Sequence, residues 1–236
     1  MKQRFSLLAA ALFLLAFLVD VRQVQAADAV VGNGNPASCT EAAFDAALTA
    51  AVGGTITFNC GPGTTTISFT LTKIVNLGNV TIDGGGRIIL KAGPNERHFF
   101  AGTGVTFRLQ NITLREGDSL VSGGAVEASG ANVILTNVQL LDNASTVSGG
   151  AIYCFDGTLI IVNSLLQNNT AGAAGGALFN DGCTVTITGS TLRGNRALSA
   201  FGRGGAIDNR PGGTLTMNST ALQENRAADG GGLYVN

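Results

Sequence analysis

Gly149-Gly150-Ala151-Ile152, followed by the apolar run Leu159-Ile160-Ile161 and then by Leu166-Gln167-Asn168-Asn169, is one copy of a pattern that fills the second half of this chain. The glycine pair recurs in Gly123-Gly124-Ala125-Val126, Gly175-Gly176-Ala177-Leu178, Gly204-Gly205-Ala206-Ile207 and Gly230-Gly231-Gly232-Leu233, with starts 26, 26, 29 and 26 residues apart. Self-similarity at such a period marks a repeat architecture. Each period carries the same parts in the same order. Val133-Ile134-Leu135, Val185-Thr186-Ile187 and Leu215-Thr216-Met217 occupy the place of Leu159-Ile160-Ile161, and the Leu-x-x-Asn element recurs at Leu140 to Asn143, Leu192 to Asn195 and Leu222 to Asn225.

A period therefore holds about three short strands divided by Gly, Asn, Asp and Ser turns, with no room for a helix. The simplest object that satisfies this is a parallel β-helix in which each period is one coil and equivalent residues stack about 4.8 Å apart. Stacking explains the residue choices. Glycine pairs at one corner allow positive φ and close approach of neighbouring coils. Asparagines tolerate left-handed conformations and can bond turn backbone, so Asn143, Asn169, Asn195 and Asn225 are expected to form one ladder, and Asn111, Asn137 and Asn163 a second.

The frame continues upstream in weaker sequence. Phe107 to Asn111 aligns with Val133 to Asn137, while Val80-Thr81-Ile82 and Thr55-Ile56-Thr57-Phe58 read as strands of earlier coils. About seven coils result. Ser38-Cys39-Thr40-Glu41 has the form of a capping box and precedes Ala43, Phe44, Ala47, Leu48 and Ala51 at helical spacing. A short helix here would cover the apolar end of the first coil. The expected organisation is a signal peptide over residues 1–26, a linker over 27–38 and a β-helix domain over 39–236. Within that domain, 39–52 is the capping helix, 53–122 holds degenerate coils and 123–236 holds regular repeats, the last incomplete.

The signal reading rests on Lys2 and Arg4 before an apolar stretch from Phe5 to Val19, with small residues at a cleavage site after Val24-Gln25-Ala26. A net charge of -1 gives no reason to expect nucleic acid as a partner. The 34 glycines and 12% charged residues suit a glycine-cornered solenoid better than an ordinary globular domain. Four cysteines in an exported chain suggest two disulfides. Cys39 and Cys60 would pin the helix to the stack. Cys154 and Cys183 are the remaining pair, but Cys183 stacks on Gly157, so that bond closes only if the intervening turn bends back; free buried thiols are the alternative.

The Gly-Gly-Ala-(Ile/Leu/Val) unit with Leu-x-x-Asn resembles the repeat of the polymorphic outer membrane protein family, with leucine in place of that family's phenylalanine. Cys39 to Phe100, with Thr55-Ile56-Thr57-Phe58-Asn59-Cys60 and Thr81-Ile82-Asp83-Gly84-Gly85-Gly86, resembles the N-terminal part of secreted bacterial β-helix proteins of the pectate-lyase-like class. These resemblances imply an all-β, right-handed parallel β-helix with a short N-terminal capping α-helix, in an extracellular or outer cell-surface location. Related domains include adhesins, autotransporter passengers and polysaccharide-degrading enzymes.

An enzyme needs a site, and the best candidate is Asp156, Asp181 and Asp208, which fall near one another on successive coils. Such carboxylates could serve as acid and base in glycoside hydrolysis or hold calcium for a lyase. Asp156-Gly157 and Asp181-Gly182 are also ordinary turn dipeptides, the polygalacturonase signatures do not occur, and His98 reads as a strand-edge residue. The favoured expectation is a non-catalytic, adhesin-like or polymer-binding scaffold with no cofactor or metal and with a surface ligand or polysaccharide as partner. A C-terminal anchor or further repeats outside this chain are expected to complete it. Ice binding would call for a regular outward threonine array, and the column of Thr186 and Thr216 carries Ile134 and Ile160 in earlier coils.

Overall fold

The structure is a computed structural model that describes residues 26–236. The expected signal segment lies outside the described residues apart from Ala26. The described chain winds into a parallel β-solenoid. Ala29–Val31, Thr55–Phe58, Asn79–Ala92, Thr106–Arg115, Asn132–Leu141, Thr158–Val162, Thr184–Thr188 and Thr214–Asn218 lie side by side in a 12-stranded sheet, each parallel to the next. A 7-stranded sheet runs from Lys73–Val75 through Phe99–Ala101, Val126–Ser129, Ile152–Phe155, Leu178–Asp181 and Ile207–Asn209 to Leu233–Val235, and a 4-stranded sheet of two-residue strands closes the third side.

The 26-residue period sets the register. Val133, Leu159, Val185 and Leu215 are consecutive Cα partners, as are Val126, Ile152, Leu178 and Ile207. Because side chains alternate along a strand, every coil turns the same apolar positions inward. Leu135, Leu140, Ile161, Leu166, Ile187 and Leu192 are all fully buried.

The glycine pair does two different jobs. Gly149 has φ 66°, a conformation in which a Cβ is strained. Gly150 is needed for space, since a Cβ there would lie 2.1 Å from the carbonyl oxygen of Gly176 on the next coil.

At the Leu-x-x-Asn corner the left-handed residue is the one before the ladder asparagine: Asp142 at φ 55°, Asn168 at 57° and Glu224 at 54°. The ladder residues themselves point inward and carry the hydrogen bonds. Asn169 Oδ1 accepts from the backbone N–H and the Nδ2 of Asn143, both at 3.0 Å, while Asn169 Nδ2 donates to Leu140 O at 3.0 Å. Asn195 and Asn225 repeat the arrangement. The second ladder is shorter: Asn137 Nδ2 donates to Asn111 Oδ1 at 3.1 Å, and Asn111 Nδ2 donates to Asp83 at 3.0 Å. Asn163 joins it only by its left-handed φ of 48°.

The N-terminal end differs from the sequence reading in two ways. Residues 27–38 are not a linker, because Ala29–Val31 pairs with Thr55–Phe58 and forms the first of eight rungs. That strand is only three residues long, too short to show an alternation of its own. The helix runs over Glu41–Ala50, within the expected 39–52, but its N-cap is Thr40, whose hydroxyl accepts from Ala43 N at 3.2 Å. Ser38 instead accepts from Asn33 N and donates to Asn35 O within a 3-10 turn. With no capping box to serve, Glu41 reaches the stack. It accepts from Lys73 Nζ at 2.6 Å and from Thr70 N and Oγ1 at 2.8 Å. Desolvation would raise its carboxyl, but these bonds prevail and hold it at about 2.

Both disulfides are formed. Cys39 and Cys60 have Cα atoms 5.7 Å apart, and Cys154 and Cys183 have theirs 6.0 Å apart. The turn between the second pair does bend back. Asn180 stacks directly on Cys154. Its Oδ1 accepts from Cys183 N at 2.9 Å, its Nδ2 donates to Cys183 O at 3.1 Å, and Gly182 takes φ 82°. That loop brings Cys183 back over the corner.

Candidate binding face

The residue after each inward apolar position of the 7-stranded sheet points out of the solenoid. Register stacks these as Ile74, Phe100, Glu127, Tyr153, Phe179, Asp208 and Tyr234. A second outward column holds Ser129, Phe155 and Asp181. These columns unite groups far apart in sequence.

The rings of Tyr153 and Phe179 stack at 5.5 Å with an interplanar angle of 9°. The guanidinium of Arg210 lies 5.1 Å from the centroid of Phe179, and that of Arg203 lies 4.9 Å from Tyr234. Tyr153 donates its hydroxyl proton to Asp181 Oδ2 at 3.2 Å. Burial, then the charge of Asp181, raises the Tyr153 pKa. Upstream, Arg97 pairs with Glu127, and a cavity of about 280 Å³ at the helix is separate from one of about 240 Å³ on this face lined by Ile74, Arg97, Phe100, Leu120 and Val121.

Asp156, Asp181 and Asp208 all lie on or beside this sheet, on successive coils, but they are not equivalent. Asp156 is the left-handed corner residue, φ 47°, and its carboxylate packs over Gly182. Asp181 is held by Tyr153. Asp208 is 0% exposed, with Arg210 Nε at 3.2 Å in a direction that gives neither of its oxygens a hydrogen bond. Desolvation raises its carboxyl, Arg210 and Arg203 oppose that, and Asp181 reinforces it. A raised carboxyl is what a general acid needs, but a polymer chain cannot reach a group sealed between two rings and two guanidinium groups. The geometry suits Asp208 to holding Arg203 and Arg210 in place on the aromatic column.

Among the described residues no group of three or more His, Cys, Asp or Glu side chains is placed to hold a metal ion. His98 is interior and not at a strand edge: it is fully buried, with Nε2 3.0 Å from Leu90 O. Phe179, Arg203, Arg210 and Glu127 are the members of this face that reading residue by residue did not single out. For Glu127 and Phe179 the signal was present in the repeat frame, in the position that follows each Gly-Gly-Ala-apolar unit, whereas Arg203 and Arg210 lie outside that position and join the face only through their ring contacts.

Residues 137–154 match the family model of the Chlamydia polymorphic membrane protein repeat. Comparison with curated proteins and with solved structures gave no match. The matched segment spans Asn137 to Cys154, joining one Leu-x-x-Asn element to the next glycine pair. The chain thus carries repeats of that type, wound into a parallel β-helix.

Proposed function

We propose that the protein is an exported, surface-exposed β-helix scaffold that binds a surface ligand or polysaccharide in an adhesin-like manner through the outer face of its 7-stranded sheet. The observation that carries this reading is the outward column from Phe100 to Tyr234, in which four rings, those of Phe100, Tyr153, Phe179 and Tyr234, stand with Glu127 and Asp208 at coil spacing. An elongated ligand laid along the solenoid axis runs over coils spaced about 4.8 Å apart and meets the ring and guanidinium groups of the column, with Asp208 beneath them. The repeat match supports a cell-surface setting, and two buried disulfides support an oxidising compartment.

Binding to acidic and neutral polysaccharides and to intact cells tests it. Phe179→Ala should weaken binding by about tenfold, the loss of one ring and its cation partner. The Thr186→Ala variant, on another sheet, should bind as the parent does. Cleavage of pectin or alginate that disappears in a folded Asp181→Asn protein would replace the scaffold reading with the enzymatic one.

A further inference from the structure

The outer face of the 12-stranded sheet bears a second kind of surface. Over four coils, Asn132–Thr136, Thr158–Val162, Thr184–Thr188 and Thr214–Asn218 pair residue for residue with no shift. The outward positions form three straight columns: Asn132, Thr158, Thr184, Thr214; Ile134, Ile160, Thr186, Thr216; and Thr136, Val162, Thr188, Asn218. All are exposed or half-exposed, none is charged, and ten of the twelve are β-branched. The two coils before them place Arg108 and Asp83 in the same columns.

Three properties of this array narrow its partner. Its side chains repeat in two dimensions, about 4.8 Å across coils and about 6.6 Å along a strand. The distance across coils is close to the shorter repeat of oxygen atoms on the prism face of hexagonal ice, and the distance along a strand falls short of the longer one. β-branched residues are stiff at χ1, so methyl and hydroxyl positions are set before any ligand arrives. Finally, the hydroxyls of Thr136, Thr158, Thr184, Thr186, Thr188, Thr214 and Thr216 make no hydrogen bond to protein among the described residues, whereas Thr70, Thr72 and Thr220, elsewhere, do.

We infer that this face is an ice-binding surface. Ile134, Ile160 and Val162 interrupt the hydroxyl pattern but keep the branched Cβ, and Asn132 and Asn218 each end a column, so the face stays uncharged where the sequence suggested a break. Other partners fit less well. Four strands of five residues present about 320 Å², well under the roughly 800 Å² per partner of a stable protein interface. Crystalline polysaccharide is usually gripped by ring faces, and this array contains no aromatic residue.

The test is partition of the purified protein into slowly growing ice, with ice-crystal shaping and thermal hysteresis measured alongside. The parent should concentrate in the ice fraction and shape crystals. Thr186→Tyr and Ile160→Lys, both at half-exposed positions and checked by circular dichroism, should each lower ice uptake by about tenfold. Phe179→Ala, on the other sheet, should leave it unchanged, which separates this inference from the polymer-binding proposal. Exclusion of the parent from ice would overturn it. So would uptake unaffected by both face variants, adsorption to microcrystalline cellulose that those variants abolish, or a parent dimer that Thr186→Tyr converts to monomer.

Discussion

Asn169 shows how much one side chain does in a solenoid. Its amide closes four hydrogen bonds between neighbouring coils in a site with no access to water. Asn169→Ala would take the acceptor from the buried Asn143 N–H and remove one partner each from Asn143 Nδ2, which keeps Leu114 O, from the carbonyl of Leu140 and from Asn195 Oδ1. The expected loss is about 3 kcal/mol or more, read as a lower urea midpoint at unchanged slope. His98 sets a pH dependence. Desolvation lowers its pKa to about 4 against an ordinary 6.5, with the carbonyls of Leu90, Arg115 and Gly124 opposing. The folded state therefore favours the neutral ring. Its contribution is complete above pH 6.5 and is lost as pH falls toward 4, because the unfolded chain takes up the proton first. The full effect is about 3 kcal/mol. Urea midpoints of the parent should fall between about pH 7 and about pH 4.5, and His98→Gln should flatten that fall; an equal fall in both proteins would assign it to other groups.

At the scale of the element, the helix Glu41–Ala50 is tied to the stack three times over. Phe44 enters an aromatic cluster with Phe69 at 4.8 Å, Lys73 pairs with Glu41 and Asp45 at 2.6 and 2.7 Å, and Cys39 is bonded to Cys60. The disulfide closes a separation of 21 residues, so Cys39→Ser with Cys60→Ser should cost about 3 kcal/mol through the unfolded state. In the unreduced parent, thiol labelling should leave all four cysteines unmodified; rapid reaction at Cys39 and Cys60 would refute the pairing. The capping-box reading failed here for a specific reason. Ser38 and Glu41 have the right spacing, but Thr40 has the extended φ of -108° and a hydroxyl that accepts from Ala43 N, and Glu41 finds stronger partners across the coil boundary.

At the scale of the whole molecule, the period itself can be tested. Deleting residues 124–149, one full period, joins Gly123 to Gly150 with every column in phase and both disulfides kept. The product should fold with the same spectrum per residue and be shorter by about 4.8 Å in solution scattering. Deleting 124–148 removes one residue fewer and reverses the facing of residues at the junction, so it should fail to fold cooperatively.

The sequence determined the solenoid, its register, the inward columns and the asparagine ladder. A repeat period acts at every coil, so local spacing is enough to say which residues stack. It did not determine the first rung, a three-residue strand that becomes one only by pairing with Thr55–Phe58, nor the bond from Cys154 to Cys183, which depends on Asn180 folding the turn back. The fate of the carboxylates also lay beyond it. Asp156, Asp181 and Asp208 look alike as letters near a turn, yet one bends the chain, one accepts from Tyr153 and one is sealed beneath Arg203 and Arg210. Burial and partner geometry are set by side chains that meet across coils, 26 to 29 residues apart, and only the closed structure decides which of them meet.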